Sequence, residues 1–274
     1  TDMEEEGDSP MTTRPEKISA SKPWHSLAGR IVLVTGASRG IGRGIALALG
    51  EAGATVACAA RSADELEATA ARIRDQGGDA RTFRFDVTRT DDIVAGVRAV
   101  EETVGPIDVL VNNAGVVSEK KTVELTDADW ALTLDTNLTS MFRCARAVAP
   151  AMIARGRGKI INIGSMWGRV GVPRHTAYCV SKAGVEALTR CLAVEWARHG
   201  IQVNCLAPGY VSTDFNRQVM TDERLRTFIL SKIPLRRIAE PDEVGALAVY
   251  LASSASDFMT GQTILLDGGQ TIAG

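Results

Sequence analysis

Aromatic residues are scarce in this chain, only 5% of its 274 residues, and cysteines number five. Cys58, Cys144, Cys179, Cys191 and Cys205 are odd in number, form no C-x-x-C pair and fall mostly in apolar segments. A disulfide scaffold or a structural zinc site is therefore not expected; the five read as reduced, buried thiols of a cytoplasmic protein, and no metal site is anticipated. Neither charge sign dominates, with 31 Lys+Arg against 33 Asp+Glu. A basic face for nucleic acid or an anionic membrane is thus not expected. Apolar runs such as Ile31 to Val34 and Ala246 to Ala252 fall far short of the roughly 20 residues of a membrane helix.

Residues 1–27 lack hydrophobic periodicity, contain Pro10, Pro15 and Pro23, and carry a net charge of −3, leaving the remainder at +1. They read as a mobile tail, acidic where a signal peptide would be basic and then apolar, so export is not expected. Residues 28–274 read as one domain, with no repeat and no linker.

What is abundant is glycine (26) and a hydrophobic content of 45%, arranged as short β-branched runs alternating with amphipathic stretches. That alternation is the pattern of βαβ units. Strands are expected at Arg30–Thr35, Ala54–Ala60, Ala80–Phe85, Ile107–Asn112, Lys159–Gly164, Ile201–Ala207 and Gln262–Leu266. Most are near-continuous apolar runs, which suits parallel strands covered on both faces. Ser62 with Glu65 spells a capping box, Gly77-Gly78 a left-handed helix end, and Pro241 a first helical residue. Right-handed crossovers then predict an α/β fold: a single Rossmann-type doubly wound parallel sheet of about seven strands, with helices on both faces.

The first strand runs into Thr35-Gly36-Ala37-Ser38-Arg39-Gly40-Ile41-Gly42. Glycines at that place let the chain turn and let backbone N–H groups reach a diphosphate at a helix N-terminus. Near the end of the second strand, Ala57-Cys58-Ala59-Ala60-Arg61-Ser62 holds no acid for a ribose 2′-hydroxyl. Arg61 and Arg39 instead offer guanidinium donors for a 2′-phosphate, which favours NADP(H) over NAD(H); the plainer alternative is two solvated surface arginines.

Tyr178 stands four residues before Lys182, so a helix sets the ammonium beside the phenol. Acid–base work near neutral pH needs the phenol lowered by about three pKa units, or about 4 kcal/mol, and a neighbouring cation acts in that direction.

These features together resemble the short-chain dehydrogenase/reductase family. The resemblance spans Leu27 to Gly274 and rests on T-G-A-S-R-G-I-G at Thr35–Gly42, Asp86-Val87, N-N-A-G at Asn112–Gly115, Asn137, Ser165, Y-C-V-S-K at Tyr178–Lys182, P-G at Pro208-Gly209 and D-G-G at Asp267–Gly269, in the family's order. It implies hydride exchange between a nicotinamide cofactor and a small-molecule carbonyl or alcohol. By the same resemblance Tyr178 is the acid or base, and Ser165 binds the substrate oxygen. Lys182 lowers the Tyr178 pKa and holds the nicotinamide ribose, and Asn137 holds a relay water. Gly36, Ser38, Arg39, Gly40, Ile41, Gly42 and Arg61 line the phosphates. Asp86 and Val87 flank the adenine, Asn112, Ala114 and Gly115 the ribose and diphosphate, and Pro208, Gly209, Val211 and Thr213 the nicotinamide. A homotetramer is expected, with helices near Asp127–Ala154 and Thr176–Arg198 at its interfaces.

Substrate contacts are expected from Val117–Lys121, Met166–His175 and Tyr210–Ile238. Arg169, Arg174 and His175 suggest a basic mouth for an acidic substrate, unless they merely point into water. Ile160–Met166 is similar to the I-I-N-I-x-S-M stretch of the sugar-acid and polyol branch, including the gluconate 5-dehydrogenase type. The alternative branch reduces 3-oxoacyl groups on acyl carrier protein. Arg143 matches one of its two carrier-binding arginines, but Val194 stands where the second would be. A third reading, a non-catalytic NADP(H) sensor or scaffold, is disfavoured because Ser165, Tyr178 and Lys182 are all present.

Overall fold

The computed structural model describes residues 23–213 and 221–273. Seven parallel strands form one sheet in the order β3-β2-β1-β4-β5-β6-β7. They are β1 (Ile31–Thr35), β2 (Thr55–Ala60), β3 (Asp79–Arg84), β4 (Val109–Asn112), β5 (Gly158–Ile163), β6 (Ile201–Pro208) and β7 (Thr263–Leu266). The helices are α1 (Gly40–Glu51), α2 (Ala63–Asp75), α3 (Thr90–Thr103), α4 (Asp127–Leu134), α5 (Ser140–Arg155), α6 (Thr176–Trp196), α7 (Glu223–Lys232) and α8 (Pro241–Ala252).

Alternation along the strands explains the two layers. Val32, Val34, Val56 and Val111 point to one face and pack with Ile45 and Leu49 of α1, Leu66 of α2 and Val244 of α8. Leu33, Ala57 and Leu110 point to the other and pack with Ile93 of α3, Val148 of α5 and Trp196 of α6. The central strands β1, β2 and β4 are buried on both sides and almost wholly apolar, whereas the edge strand β3 is polar and mostly exposed. Chain order reverses at β1, whose neighbours are β2 and β4, and such a switch point opens a crevice at the strand C-termini.

Several local expectations change. Leu27, assigned to the tail, is buried in the core and its N–H bonds the Ala52 carbonyl at 2.8 Å; residues 1–22 of that tail lie outside the described residues. Ser62 makes no capping bond into α2; it and Glu65 line a cleft instead. The single helix expected over Asp127–Ala154 is broken by a π-helical turn at Asp135–Thr139, a bulge that often marks functional sites. Cys58, Cys144 and Cys205 are buried, but Cys179 is only half-buried and Cys191 is exposed. Gly77 and Gly78 close α2 on the Arg74 and Ile73 carbonyls. Pro241 opens α8, where Glu243 accepts from the Glu240 N–H at 2.9 Å.

Candidate active site

The crevice is a cleft of about 850 Å³ at the strand C-termini. Its first wall is the glycine turn after β1. Gly36 and Gly40 hold φ of +67° and +55°, which favour glycine. A Cβ on Gly36 would lie 2.9 Å from the Ala114 Cα, and one on Gly42 would meet the Gly36 carbonyl oxygen and the Asn113 amide. Asn113 ties this turn to the end of β4, donating from Nδ2 to the Thr35 and Gly36 carbonyls at 3.0 and 3.1 Å. The first turn of α1 carries no acid, and Arg39 at its N-cap supplies no side-chain bond. The result is a narrow backbone cradle at a helix N-terminus, open to an anion, and it fits a dinucleotide diphosphate.

Beyond the cradle, Arg39, Arg61, Ser62 and Glu65 line the far end of the cleft with Asp86 and Val87. Burial raises the Asp86 carboxyl, but hydrogen bonds from the Thr88 N–H (2.9 Å) and hydroxyl (2.8 Å), with Arg61 and Arg89 nearby, outweigh it and hold the group below its usual range. Arg61 stands 3.9 Å from that carboxylate with its side chain 73% exposed. Both arginines therefore keep donors for a phosphate.

At the opposite end, Ser165 leaves β5 and Tyr178 and Lys182 rise from α6 into the same cleft. Ser165 Oγ accepts from the Trp167 N–H at 3.2 Å. Burial pushes the Tyr178 phenol up to about 12, against a hydrogen bond with Ser165 that pulls it down. Lys182 lies 5.6 Å from the Tyr178 ring centroid, donates to the Ile163 carbonyl at 2.7 Å, and is pushed down to about 8 by burial, with Cys205 opposing. The expected lowering of the phenol by Lys182 is thus not what the protein displays on its own, because burial dominates. A phenol held in its protonated form is suited to donate a proton to a carbonyl oxygen.

The structure brings Gly36, Ser38, Arg39, Gly40, Ile41 and Gly42 to one wall, and Ala114, Gly115, Pro208, Gly209 and Thr213 to the walls nearer Tyr178. Three expected residues lie outside the cleft. Asn112 is buried and donates to Asn162 Oδ1 at 2.9 Å; its neighbour Asn113 lines the cleft instead. Asn137 is buried in the π-helical turn, donating to the Val116 carbonyl (2.9 Å) and Ser181 Oγ (3.1 Å) and accepting from the Val116 N–H (2.8 Å). Its side chain braces the β4 exit against α6, with both amide hydrogens engaged. Val211 is buried, in a bridge with Ala239.

The basic mouth dissolves into ion pairs. Arg169 binds Glu186, Arg174 binds Glu119 at 3.0 Å, and the His175 ring packs on Trp167. None of the three lines the cleft. Trp167 and Tyr210, which fall inside the expected substrate segments Met166–His175 and Tyr210–Ile238 without being singled out there, do line it: the Trp167 ring sits edge-to-face with Tyr178 (5.7 Å) and Tyr210 (6.1 Å). Of the expected substrate segments, residues 214–220 lie outside the described residues.

A nucleotide cradle facing a Ser–Tyr–Lys cluster across one cleft defines a dinucleotide-dependent oxidoreductase. The family model described as Enoyl-(Acyl carrier protein) reductase matches residues 36–271. Gluconate 5-dehydrogenase of Gluconobacter oxydans is 40% identical over 248 residues, which are 90% of this chain and 97% of that protein. The 3-oxoacyl acyl-carrier-protein reductase of Vibrio harveyi is 39% identical over 89% of this chain and 98% of its own. Among solved structures, a gluconate 5-dehydrogenase from Burkholderia cenocepacia in complex with NADP and tartrate superimposes with a TM-score of 0.88 at 40% identity, covering 92% of this chain and 98% of that one. The chain belongs to the short-chain dehydrogenase/reductase family and is an oxidoreductase acting on CH–OH groups.

Proposed function

We propose that this protein interconverts a ketone and a secondary alcohol on a small polyhydroxylated substrate of the sugar-acid or polyol type, using NADP(H). The observation that carries the reading is the seating of Ser165, Tyr178 and Lys182 at one end of the cleft whose other end is the Gly36–Gly42 cradle. Relatives named gluconate 5-dehydrogenase and 5-keto-D-gluconate 5-reductase, at 40% and 38% identity, support the substrate class. Arg39 and Arg61 support NADP(H), since a 2′-phosphate takes guanidinium donors where a 2′-hydroxyl takes a carboxylate.

A nicotinamide cofactor bound along the cleft supplies or accepts the hydride. Tyr178, held protonated, gives its phenolic proton to the carbonyl oxygen during reduction. The Ser165 hydroxyl donates a hydrogen bond to the same oxygen as charge builds there. Lys182 stands beside the phenol to receive ribose hydroxyls and to favour phenolate once the proton has left. Asn137 ties Val116, beyond β4, to Ser181 on α6.

Two observations weigh against acyl-carrier recognition. Arg143 is engaged by Asp135 at 2.9 Å and by the Thr88 carbonyl at 2.8 Å, and Val194 is an exposed apolar residue. Phe142 and Val194, exposed on α5 and α6, support pairing of those helices with another copy.

The test is nicotinamide oxidation by the purified protein with NADPH or NADH and three substrates: 5-keto-D-gluconate, a neutral keto-polyol and a 3-oxoacyl thioester. Turnover of a polyhydroxylated ketone with NADPH preferred is the expected result. Turnover of the thioester alone, or of nothing, overturns the reading.

A further inference from the structure

Among the described residues the mechanism leaves two buried carboxylates unused, Asp108 and Glu186, and Glu186 lies on the helix that carries Tyr178 and Lys182. Glu186 is 7% exposed, although nothing in the hydride chemistry calls for an acid there. It lies on α6 four residues beyond Lys182, which is four beyond Tyr178. Such spacing puts all three on one stripe of the helix.

Arg169 Nε donates to both Glu186 carboxylate oxygens, at 3.2 and 3.3 Å. Arg169 directly follows the short turn that carries Ser165 and Trp167. That turn is wound on itself by Trp167 N–H to Ser165 Oγ (3.2 Å), Gly168 N–H to the Ser165 carbonyl (2.9 Å) and Arg169 N–H to the Met166 carbonyl (3.0 Å). At Gly168 it lies flat on α6, where an added Cβ would stand 3.0 Å from the Lys182 carbonyl. Close backbone approach holds the turn against the helix at Gly168, and the Arg169–Glu186 pair ties its C-terminal end to α6.

A buried ion pair is a poor source of stability, because desolvating the charges offsets their attraction and an apolar pair of similar volume does as well. Arg169 is not trapped either, since its side chain is 43% exposed. The carboxylate therefore earns its place through geometry. We propose that Glu186, acting through Arg169, is a positioning residue that fixes Ser165 Oγ and the Trp167 ring against Tyr178. The proposal rests on the ketone-reductase reading above. Ser165 is useful only if its hydroxyl and the Tyr178 phenol reach the same substrate oxygen, and misplacement by about 1 Å costs up to about 100-fold in rate.

The experiment compares the unaltered full chain with Glu186→Gln and with the double variant Arg169→Met, Glu186→Leu, which replaces the pair by apolar side chains. Four quantities are read: melting temperature, NADPH affinity by fluorescence titration, and kcat and KM for the ketone that the wild-type protein turns over. The expected result for the double variant is an NADPH Kd unchanged within about twofold, with kcat/KM down at least about tenfold and most of the loss in kcat. Glu186→Gln, which keeps one acceptor oxygen for Arg169, falls between it and wild type. A folded double variant with kcat/KM within about threefold of wild type overturns the proposal. So does a loss of activity matched by an equal loss of NADPH binding, since that reports general disruption of the cleft. If the double variant does not fold, Glu186→Gln decides alone, and wild-type kinetics from it overturn the proposal. A wild-type protein that reduces no carbonyl removes the functional reading, and the proposal with it.

Discussion

Replacing Lys182 by methionine removes a buried ammonium while keeping most of the side chain's bulk. Burial holds this group at about 8, against an ordinary 10.5, a displacement that costs the folded protein about 3 kcal/mol at neutral pH. The variant also loses the 2.7 Å bond to the Ile163 carbonyl, and stranding that buried acceptor takes back about 1–2 kcal/mol. Lys182→Met is therefore expected to be more stable than wild type at about pH 7 by about 1–2 kcal/mol, or about 2–4 °C in Tm. The sign with pH follows from proton counting. The folded chain releases the Lys182 proton near 8 and the unfolded chain near 10.5, so in between the unfolded state binds more protons and wild-type stability rises with pH. The variant has no such group, and its advantage shrinks by about 2 kcal/mol between about pH 7 and 10. Tyr178, pushed up to about 12, favours the folded state below pH 10 and withdraws that support as pH climbs from 10 to 12, so measurements stop at 10. Urea denaturation followed by tryptophan fluorescence reads the difference directly. A variant less stable than wild type at neutral pH, or a difference constant from pH 7 to 10, refutes the reasoning. Turnover by the variant is expected to collapse whichever way its stability moves.

Three further outcomes follow from the same geometry. Gly42→Ala drives a methyl into the Gly36 carbonyl and the Asn113 amide, so NADPH affinity by titration should fall at least about tenfold, or about 1.4 kcal/mol; unchanged affinity contradicts the cradle. Arg61→Asp should weaken NADPH at least about tenfold while NADH holds or improves, and an unaltered preference removes Arg61 from the phosphate site. Asn137→Ala strands both polar groups of Val116 and should cost about 2–4 kcal/mol in urea denaturation; a loss under about 1 kcal/mol contradicts its role as a brace.

All seven strands lie within two residues of where the sequence puts them; for the central ones the reason is that a parallel strand buried on both faces is a mostly apolar run, as in Ile31–Thr35 and Val109–Asn112. Glycine and proline punctuation was legible for an equally local reason: Gly77 and Pro241 satisfy backbone requirements of their own helix ends. What failed depended on partners far along the chain. Arg169 and Arg174 read as a basic mouth because a sequence displays charges without the Glu186 and Glu119 that claim them. Ser62 and Glu65 have the letters of a capping box, yet their side chains turn to the cleft. The break at Asp135–Thr139 escaped because one extra residue per turn barely disturbs an apolar period. Asn112 and Asn113 are the same residue type side by side. Strand alternation sends the first under the sheet and the second to the glycine turn, a distinction of pleat rather than composition.

We infer that Tyr178 delivers the proton in a cleft that takes NADP(H) and a polyhydroxylated ketone. NADPH oxidation with 5-keto-D-gluconate, measured for wild type and Tyr178→Phe after both are shown to bind NADPH equally, tests it most directly. Turnover by wild type and a loss of at least about 100-fold in the variant are expected. A Tyr178→Phe protein that binds NADPH and retains activity within about tenfold of wild type would contradict it.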